Sequence, residues 1–457
     1  MTNTTTQALG QHRGAGKGKI FAWALWDWGT QPFATVITTF VFAVYITSSS
    51  FGSENYTNIA MSISTGIAGL LIALLAPVLG QNSDRNGRRM ASLRNATWAL
   101  AIVCGALYFV KPEPSYLVLG LALMGIGAII AEIANVNYYA LLDELATPEN
   151  VGKVSGFGWG MGYLGGIVSL LALNFLFIAP NPGLFGVTHD DGMHIRVSML
   201  VCALWTIIFT IPIFLNLRDR KVVNKAPRTN LKQAYKELWA SIKRLWNSDR
   251  NTAYFLIASA IFRDGLAGVF TFGAVIAAGT FKMSAAEVIM FGAAANVIAG
   301  LATIAFGYLD DWIGPKRVIM ISLVSMVFAG LAVFVVGRGV ALDQISEGTG
   351  KAIFWGLGLA LTIFVGPAQS ASRSFLARII PEGKSGEMFG LYVTTGRAVS
   401  FFSPAAYGIA IWLGALFTGR TATQYWGILG IVLILIVGAI LMRKVQAPPK
   451  RTKAAVQ

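Results

Sequence analysis

Apolar residues run along this chain in stretches of about 20, separated by short polar or basic segments, which is roughly the helix length that a ~30 Å hydrocarbon core requires. Twelve stretches can be marked, near Trp23 to Tyr45, Thr57 to Leu79, Ala91 to Val110, Tyr116 to Tyr139, Val154 to Phe177, Val197 to Leu215, Tyr254 to Gly279, Ala285 to Gly307, Val318 to Gly337, Ala352 to Ala371, Phe389 to Trp412 and Tyr425 to Met442. Between the sixth and the seventh, Arg218 to Arg250 holds ten basic and three acidic residues, with Leu231, Tyr235, Leu238 and Trp239 at helical spacing. That segment reads either as a helix along the membrane surface or as a solvated tether. The pattern predicts an all-α membrane protein of twelve transmembrane helices in two six-helix halves, residues 20–217 and 251–442. A linker at 218–250 joins them, with cytoplasmic tails at 1–19 and 443–457.

Composition narrows the function. Of 457 residues, 55% are hydrophobic and 12% charged, against about 25% charged in an ordinary soluble domain, so a soluble enzyme is excluded. The fifty glycines follow no Gly-X-Y period, which excludes collagen. A net charge of +15 would suit nucleic acid, but its distribution says otherwise. With the termini and alternate loops placed inside, 28 of the 36 Lys and Arg residues fall on that side, Arg94 at the start of the third span included. Six fall outside, and Arg263 and Arg397 lie within spans. The positive-inside rule then makes both termini cytoplasmic, in a plasma-membrane protein whose charge meets anionic lipid rather than nucleic acid. Residues 1–19 contain no apolar core of a signal peptide.

Cys104 and Cys202 lie in apolar stretches without metal-ligand spacing, and His12, His189 and His194 fall in a polar tail and a polar loop, so neither a metal nor an intramembrane histidine relay is expected. GAGKGK at Gly14 to Lys19 fails the P-loop spacing. No cofactor is expected, and transport must draw on gradients.

The string GQNSDRNGRR follows the second span and GYLDDWIGPKR the eighth. They align Gly80, Asp84 and Gly87 with Gly307, Asp311 and Gly314, each pair 227 residues apart, and add Arg85, Arg88 and Arg89 on one side and Lys316 and Arg317 on the other. Duplication of a six-span unit explains the recurrence. The G-x-x-x-D-R-x-G-R-R string resembles the cytoplasmic loop signature of the major facilitator superfamily. An Asp at a helix end can pair with an Arg and also face the positive N-terminus of another helix. The resemblance implies that Asp84 and Asp311 hold the cytoplasmic side closed, with Ser385 to Phe389 as the helix terminus opposite Asp84.

A closer resemblance is to the vacuole-effluxer-like branch of that superfamily. WALWDWGTQPF in the first span is similar to its W-x-x-Y-D-W-A-N-S-x-F opening, with Trp26 in place of Tyr and Thr30 and Gln31 in place of Asn and Ser. YYALLDELATPENVGKVSGFGWGMGYLGG resembles the link between the branch's spans four and five, though Tyr139 and Asp143 replace its Asn and Pro, and FLIASAIFRDG resembles its seventh span. GPAQSASRSFLARIIPEGKSGEMFGLY resembles its Q-x-x-S-R-S-x-x-A-R-x-x-P link into span eleven. The resemblance covers nearly the whole chain. It implies a transporter fold and, from the branch's fungal vacuolar member, an amino-acid substrate.

Ionisable groups inside spans cost ~2.5–3.5 kcal/mol each on insertion scales, so they face cavities and find partners. Asp27, Glu132, Arg263, Asp264 and Arg397 are those groups here. At 100° per residue Asp27, Thr30, Gln31, Thr38 and Tyr45 share one side of span one, and Glu132, Asn135 and Tyr139 one side of span four. Asp27 and Asp264, on the corresponding spans one and seven, are expected to face a central cavity from opposite halves. Asp27 or Glu132 can carry protons, and Asp264 beside Arg263 reads equally as a structural ion pair. Arg397 can hold a substrate carboxylate, or it pairs with Glu132 or Asp264. The glycines Gly156, Gly158, Gly160, Gly162, Gly165 and Gly166 of span five allow close helix approach.

The sequence thus predicts a monomeric, proton-coupled secondary transporter that alternates access for a small polar solute, amino acids among the candidates. A multidrug or metabolite exporter of the same fold is the first alternative. A membrane enzyme or non-transporting sensor is the second, and neither the acid and histidine clusters of the one nor the soluble output domain of the other is found.

Overall fold

The computed structural model describes residues 14–219, 231–380, 384–420 and 423–447. The expected tails and linker therefore lie partly outside the described residues, as does His12. Among the described residues, twelve helices are long and apolar enough to span a bilayer: Lys17–Ile46, Tyr56–Asn86, Arg89–Phe109, Pro114–Leu145, Val151–Ile178, Asp190–Asn216, Arg250–Gly279, Glu287–Ile313, Pro315–Ala341, Glu347–Ile379, Ser385–Thr418 and Gln424–Lys444, here spans one to twelve. A further helix, Leu231–Ser248, occupies the linker. Large apolar side chains such as Ile102, Val118, Phe175 and Leu215 remain exposed, as the lipid-facing side of a bundle requires.

Helix ends follow local chemistry. Gly87 closes span two in the left-handed conformation (φ 59°), where a Cβ would be strained, and Pro315 opens span nine at its first turn, where its missing N–H costs nothing. Spans one and eleven are irregular along their length. Span one winds as a π-helix over Phe33–Phe40 after Pro32, and the slower turn shifts the phase of the residues after it. Tyr45 consequently leaves the polar stripe expected for this span: its hydroxyl donates to the Val110 carbonyl within its own half at 3.1 Å. Span eleven is broken, with helices Ser385–Ala398 and Phe402–Thr418 on either side of a short turn.

The halves meet mainly through spans two with eleven and five with eight. Alternate glycines in span five explain half of this. Gly152, Gly156 and Gly160 fall on one helix face, where an added Cβ would strike the backbone of span eight at the Thr303 and Gly300 carbonyls (2.7 and 2.8 Å) or the Asp310 side chain (2.7 Å). Gly158, Gly162 and Gly165 fall on the opposite face, against Trp23, Asp27 and Trp28 of span one. Span two meets span eleven through Gly80 with Gly386 and Pro77 with Gly390. Because Pro77 cannot donate to the Ala73 carbonyl, that oxygen is free to accept from the Thr394 hydroxyl at 3.0 Å.

Candidate functional site

Direct hydrogen bonds between the halves gather at one end of the bundle. There the Asp84 carboxylate receives the first free N–H groups of span eleven, Gly386 N to Oδ1 and Glu387 N to Oδ2, both at 2.9 Å. Those donors have no intrahelical acceptor and carry the positive end of the helix dipole, so an anion there satisfies both. Arg89 of the same half holds the carboxylate from behind (Nε 2.9 Å, Nη2 2.5 Å) and extends to Glu144 at 2.8 Å. Asp311 repeats the arrangement on span five, accepting from Gly152 N at 2.7 Å and Lys153 N at 3.0 Å. Spans five and eleven are counterparts, so the contact obeys the internal repeat.

The supporting cation does not. Lys316, the counterpart of Arg89, instead donates to the carbonyls of Arg443 (3.0 Å) and Val445 (2.6 Å) at the end of span twelve. Its place behind Asp311 is taken by Arg378 of span ten, at 3.0 Å from Asp311 and 2.5 Å from Asp310. Arg85 pairs with Glu237 of the linker helix. Gly80 and Gly307 stand at backbone contacts between the halves, with Gly386 and Gly152 respectively. Gly314 takes a positive φ of 93° between spans eight and nine, and Arg88 and Arg317 are exposed at the same end.

Above this closed end, Arg373 of span ten inserts into the first half. It is fully buried, donates to Ser155 Oγ at 3.1 Å and the Ser155 carbonyl at 2.6 Å, and lies 5.0–5.3 Å from the ring centroids of Trp159, Tyr139 and Trp23. The rings attract the guanidinium through their electron-rich faces. Tyr138 is stacked between Trp23 and Trp26, at 4.4 and 4.3 Å, which fixes the box. Arg373, Arg378 and Asp310 are absent from the sequence-derived site. The S-R-S-x-x-A-R string was the signal for the two arginines, which it places near a helix end, and Asp310 stands next to Asp311 in GYLDDWIGPKR.

Beyond Arg373 lies a group of polar and charged side chains. Tyr139 lies within electrostatic reach of Glu132, Arg373, Asp27 and Arg263. Asp27 is partly buried beside Gly162, 3.0 Å from where a Cβ would stand, and its carboxylate accepts no hydrogen bond from the described residues. Gln31 packs one turn further on, against Gly166. Glu132 meets Arg397 across the halves at 3.4 Å and accepts from Asn135 at 3.4 Å. Both contacts are long, and Arg397 keeps 41% of its side chain exposed.

Arg263 and Asp264 are both engaged by span eleven. Arg263 donates to the Tyr392 carbonyl at 3.0 Å and lies 3.6 Å over the Tyr392 ring, before the break in span eleven. Asp264 is buried and accepts from the Ser403 N–H at 2.7 Å, while its own carbonyl accepts from the Ser403 hydroxyl at 2.8 Å, after the break. The two neighbours thus hold the two pieces of span eleven, because helical geometry points successive side chains about 100° apart.

A family model described as vacuole effluxer Atg22 like matches residues 43–455. The MFS-type transporter YxiO of Bacillus subtilis is 24% identical over 432 residues, 92% of this chain and 93% of its own. Autophagy-related protein 22-1 of Neosartorya fischeri is 26% identical over 276 residues, 56% of this chain, and this chain spans only 43% of that protein's length. Among solved structures, the proton:xylose symporter XylE superposes with a TM-score of 0.69 at 14% identity, over 94% of this chain and 96% of its own. A bacterial homologue of the iron transporter ferroportin gives 0.65 at 14%, over 93% and 98%. These likenesses show the major facilitator fold. With the family match covering nearly all of its spans, the chain belongs to the vacuole effluxer Atg22-like family of membrane transporters.

Proposed function

We propose that this transporter is a proton-coupled secondary carrier of small zwitterionic solutes, amino acids first among them. The observation that carries the reading is that a weakly made Glu132–Arg397 contact and a carboxylate to which no described residue donates, Asp27, lie on either side of Tyr139, with Glu132 and Asp27 both within its electrostatic reach. A substrate carboxylate can replace Glu132 on the Arg397 guanidinium in a bidentate pair, and its ammonium group then has Glu132 or Asp27 to meet. Desolvated carboxyl groups exchange protons when their surroundings change, so Asp27 is assigned the coupling proton. The protein works as a monomer in the plasma membrane.

The Lys and Arg distribution puts the closed end in the cytoplasm, with both termini and the linker. The glycine-rich strings with Asp84 and Asp311 then form the cytoplasmic gate, and Asp27, Glu132 and Arg397 are presented outward. Residues 20–217 and 251–442 are the units that rock about these residues.

The test uses purified protein in liposomes with an internal pH dye, offered single amino acids under an imposed proton gradient. Substrate-dependent proton movement supports the reading, and its absence across the amino acids with folded protein overturns the substrate assignment. An exporter of apolar compounds is the second reading. It is favoured by an apolar recess lined by Phe40, Phe270, Phe291 and Phe354, and accumulation of a lipophilic dye in the same liposomes would support it.

A further inference from the structure

The linker helix Leu231–Ser248 has three working faces. Leu238 and Ser241 are buried against the bundle and Leu245 partly so. Tyr235 reaches along span two and donates to the Leu74 carbonyl at 2.9 Å. Leu74 stands twelve residues before the end of that span, roughly 18 Å along the helix axis, among lipid-exposed Leu70 and Leu71. Tyr235 therefore points from the linker helix toward the hydrocarbon. Trp239, Ile242 and Trp246 follow it at i+4, i+7 and i+11 and share its face, and they are 71%, 38% and 51% exposed. Lys232, Lys236 and Lys243 are all exposed. At 100° per residue they form the next stripe, on the side away from the bundle. On the back of the helix, Glu237 pairs with Arg85 of the gate string.

We infer that this helix is an anionic-phospholipid sensor, with its aromatic stripe seated below the headgroups and Lys232, Lys236 and Lys243 binding their phosphates. Charge and depth both identify the occupant. Aromatic side chains aimed at the hydrocarbon with lysines beside them are the arrangement of an interfacial helix, and each lysine near an anionic surface gains about 1 kcal/mol, roughly a fivefold factor in binding. Glu237 carries the effect inward: lipid that seats the helix holds Arg85, and with it the end of span two whose Asp84 caps span eleven. This coupling rests on the gate reading above, and the lipid contact does not.

The test is hydrogen–deuterium exchange on the full-length protein in nanodiscs of phosphatidylcholine alone or with ~30% phosphatidylglycerol. Exchange across residues 231–248 is expected to slow on the order of tenfold with the anionic lipid, and residues 384–390 to slow with it. The triple variant K232Q/K236Q/K243Q should lose both effects and its K→R counterpart should keep them, which separates lost charge from lost folding. Glu237→Gln should keep the effect at 231–248 and lose it at 384–390. Equal exchange at 231–248 in the two lipids, or a lipid effect that survives the triple Gln variant, overturns the sensor. Slowing at 231–248 without slowing at 384–390 in the unaltered protein overturns only its coupling to the gate.

Discussion

Gly80 and Gly386 meet backbone to backbone across the two halves: a Cβ on Gly386 would lie 2.5 Å from the Gly80 carbonyl oxygen and 2.7 Å from Asp84 Oδ1. Nothing flexible stands in the way, so the helices themselves would have to separate. Gly386→Ala is therefore expected to weaken the closed state by about 1–3 kcal/mol. A reporter cysteine at Ala371, buried beneath the gate, checks this by its alkylation rate, with low background because Cys104 and Cys202 are buried. An unchanged rate would show that the contact does not hold the gate.

In the proposed gate, Asp84 and Asp311 are separate clasps on the same motion. Replacing either by Asn removes the charge that the helix dipole and the arginine both favour, for roughly 1–3 kcal/mol. Because the two sites share no partner, the double variant should show the sum of the single effects, read with the same reporter. A double variant no different from the singles would mean that only one clasp bears load.

Asp27→Asn should abolish the dependence of uptake on the proton gradient while leaving the melting temperature unchanged, since no described residue loses a hydrogen bond. The control is counterflow exchange without a gradient, which should persist. Unchanged pH dependence of transport in the variant would move the coupling role away from Asp27.

Arg373→Ala should destabilise the protein by roughly 2–5 kcal/mol, because it leaves a hole inside an aromatic box and removes the guanidinium donors from Ser155. Arg373→Lys keeps the charge but lacks the planar guanidinium that faces the rings while its spread donors reach Ser155, and should recover only part of the loss. Thermal melts in one detergent decide it, and a lysine variant as stable as the parent would show that charge alone matters.

The architecture was legible because hydropathy is a long-wavelength signal: every one of the twelve apolar stretches becomes a helix long enough to cross a bilayer. The repeat of Asp84 at Asp311 was legible for a similar reason, as a fixed spacing. What escaped depends on helix phase and on partners far away in the chain. Tyr45 left its stripe because eight residues of π-helix precede it, which no 100° wheel anticipates. Arg378 stands where Lys316 was the symmetric choice, and only the fold brings it to Asp311. The opposite assignments of Arg263 and Asp264 require the break in span eleven, and an apolar run does not announce a break.

The glycine alternation of span five gives that helix two unlike sides. Toward span one it is keyed by the Trp23 ring at Gly158, the Asp27 carboxylate at Gly162 and Trp28, main chain and ring, at Gly165. Toward span eight, Gly156 meets main chain alone, while Gly160 and Gly152 also meet the Ile304 and Asp310 side chains. Parting the first side would leave ring-sized voids, whereas parting the second leaves few side chains to rearrange, Ile304 and Asp310 among them. In the proposed rocking motion the span is thus a bearing whose fixed race lies in its own half and whose sliding race faces the other. Where the two halves would come apart is set by where side chains are fewest.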